Sequence, residues 1–506
     1  MTIPQTRREF LHNVAAGAAL AGLAGRHARA AGAPPKDQSV VPLDPAIEPL
    51  VRLLEETPRE RIVDTFAAKV RQGESYENIL AALLLAAVRN VEPRPSVGFK
   101  FHSVLVVQSI HLLSTSLPRA DRWLPVFWAL DYYKTTEEAD ERERGWTMKP
   151  VDEAAVSKIA DAPRAFSDAM DRWNESAADA AIAALVRKAP PADIWEQFFR
   201  YGCRDFRSIG HKAIDVANTH RLLGVIGWRH AEPALRSLAY ALLMHEDGNP
   251  ADRDDPADRP WRRNQDLANE IPAGWQQGKP DRQATLELLR ALREESENEA
   301  AGRTVALLKT GVAPQSIWDG LLLAAAELVV RQPGIVALHA ATTTNALRYA
   351  YRHARDDRTR RLVLLQNAAF LAMFRQAMGA RGQVGDFAID ELKPADRAPG
   401  ADKPIEAIFA QVNRDSSEAA RATLAYAEGG GPLKPWINQA RRLVVRKGSS
   451  VHDYKFASAA FEDAGEISPQ WAGRYLAAAA FLLQGSGKPD NPLIGQARAA
   501  LARGNA

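Results

Sequence analysis

Ser450-Val451-His452-Asp453-Tyr454-Lys455-Phe456-Ala457-Ser458-Ala459 sets a histidine and a lysine three positions apart at the mouth of an apolar helix. At that spacing both side chains share one helical face. Three earlier stretches also bring a histidine to the start of an apolar helix: Phe101-His102-Ser103-Val104, Gly210-His211-Lys212-Ala213 and Leu338-His339-Ala340-Ala341. The rest of the chain reads as a frame that carries these four mouths.

Working outward, an aromatic residue opens the apolar helix before each histidine. These are Tyr76, Trp195, Trp318 and Trp436, separated by 119, 123 and 118 residues. A period of this kind marks an internal repeat, and the chain reads as four copies, at about 47–150, 151–281, 282–403 and 404–506. Each copy is expected to start with one long amphipathic helix, Leu50 to Lys69, Phe166 to Arg187, Leu286 to Lys309 and Ile405 to Ala427, because apolar residues recur there at three and four positions. A Gly or Pro break follows, at Gly73, Pro190-Pro191, Gly311 and Gly429-Gly430-Gly431. The aromatic helix comes next, then the histidine helix, then a closing helix: Arg122 to Tyr133, Glu232 to Leu243, Thr359 to Phe374 and Pro469 to Leu483. Two polar stretches, Asp247 to Arg282 and Gly379 to Lys403, read as irregular surface excursions, either solvated decoration or walls of a site. With no alternating strand pattern of useful length, the expected fold is all-α, a four-copy helical repeat closed around a central site.

The first thirty residues are set aside as a targeting segment. Thr6-Arg7-Arg8-Glu9-Phe10-Leu11 is a twin-arginine motif, followed by a short apolar run from Val14 to Gly25 and the small-residue site Ala28-Arg29-Ala30. Residues 1–30 are therefore read as a signal peptide for the twin-arginine export machinery, 31–46 as a linker and 47–506 as a single helical domain in a periplasmic or secreted protein. No later segment reaches the roughly 20 uninterrupted apolar residues of a membrane helix, so no integral membrane segment is expected. Of 65 basic residues four lie in the signal (Arg7, Arg8, Arg26, Arg29), and of 62 acidic residues one does (Glu9), leaving 61 of each. A formally neutral chain lacks the basic footprint of a nucleic-acid binder. The one cysteine, Cys203, excludes an internal disulfide and reads as buried filler.

A single histidine on an apolar face is commonly a packed or capping residue. Four at equivalent places can instead converge, if the copies close around an axis, into a nitrogen-rich metal cage of His102, His211, His339 and His452. Imidazoles without thiolates suit iron, copper or zinc, and the lack of clustered carboxylates argues against calcium or magnesium. Lys455 could add an anionic donor if its neutral amine takes up carbon dioxide as a carbamate; the alternative is a lysine reaching to solvent. Lys455 is thus both a metal-ligand and a catalytic candidate. Asp215 and Asp453 read either as carboxylates fixing an imidazole tautomer or as N-terminal-turn acids. His111 and His220, nine residues after the first two histidines, rotate away from the metal face and read as pocket lining or packing, whereas His230, His245 and His353 read as surface residues. No glycine-rich dinucleotide loop, phosphate loop or Gly-x-Ser-x-Gly elbow is present.

The segments Phe101-His102-Ser103-Val104, Gly210-His211-Lys212-Ala213-Ile214, Leu338-His339-Ala340-Ala341-Thr342 with Ala346-Leu347-Arg348, and His452-Asp453-Tyr454-Lys455-Phe456 together resemble the questin oxidase-like proteins. The resemblance implies an all-helical oxygenase that oxidises or opens a ring of polycyclic, anthraquinone-like substrates with a Baeyer-Villiger-like outcome. It also implies non-haem Fe(II) held by His102, His211, His339, His452 and a carboxylated Lys455, with dioxygen and a small aromatic substrate as partners; Cu or Zn is the alternative that the imidazole ligand set itself leaves open. Two features depart from it: the export signal, and Asn218 where a second histidine of the His211 segment is expected. The competing readings are a non-catalytic helical-repeat binding protein and a zinc- or copper-holding protein without oxygenase activity.

Overall fold

The computed structural model describes residues 39–93, 101–143, 145–396 and 403–503. The twin-arginine segment, 1–30, lies outside the described residues, as does the linker up to residue 38. The fold is all-α: among the described residues there are helices and turns but no strand, only one isolated bridge between Lys279 and Val312. No helix among them is long and apolar enough to cross a membrane.

Four helices carry the histidines: α1 (His102–Thr115), α2 (His211–Ile226), α3 (Ile335–His353) and α4 (Val451–Glu466). They form an inner ring, since α1 packs on α2, α2 on α3, α3 on α4 and α4 back on α1. All four are buried over most of their surface, which is why their apolar residues run all round the helix instead of forming a stripe. An outer layer completes the burial. The aromatic-bearing helices Tyr76–Asn90, Pro191–Gly202, Pro314–Arg331 and Leu433–Lys447 each pack on the histidine helix that follows. The later helices Leu124–Glu143, Ala231–Leu243, Asp357–Gly379 and Pro469–Ala479 pack on the one that precedes. The C-terminal helix Pro492–Ala502 closes the outer layer against Ile62–Arg71 and Leu124–Glu143. Nearly all buried apolar residues belong to one contiguous core.

The long opening helices expected at the start of each stretch are broken in two. Glu48–Glu56 ends at Thr57-Pro58 before Ile62–Arg71 begins. Ala162–Asp171 is separated from Glu175–Lys188 by Trp173 at φ 54° and the cap Asn174, whose side chain accepts from the Ala177 N–H. Arg282–Glu294 gives way to Glu297–Lys309 at a capping box of Ser296 and Glu299, and Pro404–Gln411 to Ser416–Glu428 at the cap Asp415. A side-chain oxygen that satisfies the orphan N–H groups makes a fresh helix start cheaper than continuation. The Asp247 to Arg282 stretch is likewise more ordered than expected. It holds the helix Arg259–Glu270, which packs on Asp357–Gly379 and Glu297–Lys309. Asn264 donates to Gln366 at 2.7 Å, and Gln366 donates to the Cys203 carbonyl at 2.6 Å.

Candidate metal centre

The centre begins with a strained turn. Ser208, Ile209 and Gly210 take φ values of 60°, 45° and 80° immediately before α2. A β-branched residue in the left-handed region is a true outlier, worth about 1–3 kcal/mol of strain that the surroundings must hold. Asp205 does much of the holding: it accepts from the Arg207 N–H at 3.0 Å and from Lys212 Nζ at 3.0 Å. Arg207 is pinned in turn by Asp258 at 2.5 Å and Asp255 at 3.0 Å, so the 247–282 stretch buttresses this turn from outside. Gly210 is obligatory, because a Cβ there would lie 1.9 Å from Thr343 Oγ1 on α3. The turn aims the Ser208 carbonyl at His211, whose Nδ1 donates to it at 2.6 Å.

That hydrogen bond fixes the tautomer, since a carbonyl can only accept. His339, in the second turn of α3, is fixed the same way by donating from Nδ1 to the Ile335 carbonyl at 2.7 Å. Both rings therefore turn an unprotonated Nε2 inward, and those two atoms are 3.0 Å apart. His102 Nε2 lies 3.1 Å from His211 Nε2. The ligating atoms of His102, His211 and His339 lie within 4.8 Å of one another, forming a buried triad able to hold a metal ion. His452 joins from α4, with ring centroids 4.8 Å from His102 and 5.3 Å from His339. Its Nε2 is buried without a partner.

Electrostatics keep these rings neutral. Burial, with Lys455 next, pushes His102 and His211 well below the usual histidine range; burial and then His211 do the same to His339. Burial and the neighbouring Lys455 push His452 down to about 3. Lys455 is 2 % exposed, its Nζ has no partner, and burial brings it down to about 7 against the opposing pull of Asp215. Asp215, one turn after His211, is pushed up to about 7 by burial; Thr219 donates to its Oδ1 at 3.1 Å and its Oδ2 is unpartnered. His102, His211 and His452 each lie in the first turn of their helix, where the partial positive charge of a helix N-terminus favours neutral bases and an anionic ligand.

A narrow cleft runs from Lys455 between the four inner helices to the surface. Its lining follows the histidines at regular offsets: Gln108 is six residues after His102, Asn218 and Arg221 are seven and ten after His211, Asn345 is six after His339, and Glu462 is ten after His452. At the mouth Arg221 pairs with Glu462 and lies over the Tyr349 ring at 3.7 Å.

The five residues proposed from sequence thus lie together, with His102, His211 and His339 closest. Asp215 and Asp453 hold no imidazole. Asp453 accepts from the Ser449 and Ser450 N–H groups and is a helix cap, the second of its two readings. His111 approaches Tyr76 and His220 bonds Tyr349 at 2.6 Å, both by packing and neither lining the cleft. His230 is not at the surface: it is 2 % exposed and accepts from Arg229 at 3.1 Å. Cys203 is buried and its thiol donates to the Arg200 carbonyl. The left-handed turn at 208–210 had no visible signal in the sequence, and the cleft residues had only their spacing from the histidines. Comparisons with protein-family models, curated proteins and solved structures found no match, so the likeness to questin oxidase-like proteins rests on the four quoted segments alone.

Proposed function

We propose that this protein is an iron-dependent oxygenase whose metal is held by His102, His211, His339 and His452, with Lys455 as a carbamate donor. One observation carries the metal reading: two imidazoles that have each spent their only N–H on a carbonyl face each other Nε2 to Nε2 at 3.0 Å. Two lone pairs at that distance repel unless a cation lies among them, and burial makes a proton a poor candidate. A cation bound by neutral nitrogen donors is the remaining solution, and the donor set suits a first-row transition metal.

A bound iron would let dioxygen react with a closed-shell organic substrate. The chain's own residues do the rest. Ser208 and Ile335 carbonyls orient two imidazoles. Neutral Lys455 can add carbon dioxide, forming an N–C bond and releasing one proton, to give a carbamate; the unpartnered Asp215 oxygen can hold that proton. The cleft leads from the surface to the Lys455 end and would have to widen to take an electron-rich phenolic or quinol ring. In the overall reaction one ring carbon–carbon bond breaks, both oxygen atoms enter the product, and the substrate supplies the four electrons. The twin-arginine segment would send the folded, metal-loaded protein out of the cytoplasm, which suits a centre that must be filled first.

Protein purified from the cytoplasm should hold close to one iron per chain, and His211→Ala should lose it. Loss of an outer hydrogen-bond partner alone costs about 10–100-fold in metal affinity, so loss of a ligand should exceed that. A protein that carries no transition metal and takes up none from anaerobic Fe(II) ends the metal reading. Full zinc occupancy with no oxygen uptake on any phenolic substrate keeps the centre but ends the oxygenase reading.

A further inference from the structure

We propose that Arg221 and Asn345 form a carboxylate-binding site at the mouth of the cleft, that Glu462 occupies it as an internal stand-in, and that the carboxylate of a small organic acid displaces Glu462 on entry. The site does not require an ion among the histidines.

Convergence of donors is the first observation. Arg221 Nη2 on α2 and Asn345 Nδ2 on α3 both donate to one oxygen, Glu462 Oε2 on α4, the second at 2.8 Å. Two donors from different helices aimed at one carboxylate oxygen are a site already assembled, and the group they hold shows which chemistry it accepts. Both donors are held without help from Glu462. The Arg221 guanidinium lies 3.7 Å over the Tyr349 ring and donates from Nη1 to Asn218 Oδ1 at 3.3 Å, while Asn218 donates to the Leu105 carbonyl at 2.8 Å. Asn345 Nδ2 gives its other N–H to the buried Asp463 Oδ1 at 2.8 Å, and Tyr475 donates to the second oxygen of Asp463 at 2.9 Å. The pair of donors therefore keeps its shape when Glu462 leaves.

Unequal exposure is the second. The Arg221 side chain is 8 % exposed, whereas that of Glu462 is 31 % exposed. Glu462 makes both hydrogen bonds through Oε2, so rotation of its side chain returns the whole carboxylate to water. Arg221 has no such exit, and among the described residues Glu462 is the only carboxylate paired with it. A buried guanidinium stripped of its partner is strongly unfavourable, so departure of Glu462 has to be matched by arrival of another anion. The ligand's carboxylate takes the space that Glu462 vacates and needs no free volume of its own. Exchange also bears on access, because Glu462 is part of the cleft lining and its departure removes one wall of a narrow passage.

Binding is measured by NMR titration on the full chain as purified. The probe is acetate, which has the carboxymethyl end of a glutamate side chain, with acetamide and chloride as controls. Glu462 competes from a short tether, at an effective concentration in the millimolar range, so wild-type protein should bind acetate weakly but saturably, and the two controls at least about tenfold more weakly. Glu462→Ala, which removes the stand-in and leaves its space, should bind acetate at least about tenfold tighter than wild type. The double variant Arg221→Gln/Glu462→Ala, which buries no unpaired charge, should bind none, and its melting transition shows that it is folded. Unchanged affinity in Glu462→Ala, acetate binding that persists in the folded double variant, or chloride bound as tightly as acetate overturns the proposal. Wild-type protein with no saturable acetate binding also overturns it, because Glu462 would then be a permanent ion-pair partner and not a stand-in.

Discussion

Replacing Gly210 by alanine tests the strained turn and the ring contact at once. Alanine at φ 80° costs about 1–2 kcal/mol from backbone sterics. The new Cβ would stand 1.9 Å from Thr343 Oγ1, 2.7 Å from its Cγ2 and 2.8 Å from its Cβ. Thr343 sits in the middle of α3 and cannot swing clear, so an overpacking cost of about 1–3 kcal/mol adds to this. A chain of this size unfolds with an entropy near 1 kcal/mol/K at about 2.1 cal/mol/K per residue, so a total of about 2–5 kcal/mol lowers the melting temperature by about 2–5 °C. The metal should suffer more than the fold, because relaxing the clash moves α2 away from α3 and parts His211 from His339. Calorimetric melting and metal content read the two effects separately. Thr343→Ala alone should cost little, since the Thr343 hydroxyl is buried without a partner. In the double variant Gly210→Ala/Thr343→Ala the steric share should return and the backbone share should not. A Gly210→Ala protein that melts within 1 °C of the parent with full metal, or a double variant no better than the single, refutes the reasoning.

Lys455→Met should stabilise the metal-free protein in carbon dioxide-depleted buffer. Lys455 is held near 7 when folded against 10.5 when unfolded, so between those values the unfolded chain binds more protons and stability rises with pH. Near pH 7.5 the penalty removed is about 3–5 kcal/mol, and the variant's stability should lose that slope in thermal melts taken from pH 7 to 10. The histidines act with the same sign at lower pH. All four are depressed below 6.5, so the metal-free protein should lose stability, and the loaded protein release metal, as pH falls below about 6.5, followed by melting and by a chelating dye. Cys203, buried and pushed up to about 12, should resist iodoacetamide in the native protein and be alkylated once per chain in denaturant. Alkylation of the native protein on the same timescale would show that the Cys203 helix end opens freely.

The four histidines and Lys455 were legible because each is a polar residue interrupting an apolar run at the start of a helix, and such residues need a reason to be inside. The breaks in the opening helices were harder to see, since Glu48–Glu56 and Ile62–Arg71, or Arg282–Glu294 and Glu297–Lys309, each keep an apolar face and the period runs on across the break. Their caps, Asn174, Ser296 and Asp415, were the available signal. The Arg259–Glu270 helix hid among Pro and Asp residues that favour turns. His230 looked exposed because Arg229 and Glu232 flank it, although a side chain's neighbours in sequence do not share its face. Nothing local marks Ile209 as left-handed: its conformation is imposed by the Asp205 contacts and by the closeness of Gly210 to Thr343.

The inner ring also bears on the order in which the molecule forms. Neighbours around it are far apart in the chain, 109 residues between His102 and His211 and 128 between His211 and His339, and 350 between His102 and His452 by their numbers. Closing such long loops is entropically costly and slow, so local helix pairs of the outer layer should associate first and the imidazoles meet last. On this reading an ion bound by the histidines would not act as a nucleus for folding, as it does in a zinc finger, but would arrive at a nearly finished protein. Occupancy of the centre would therefore signal that the chain has been made and folded as far as α4.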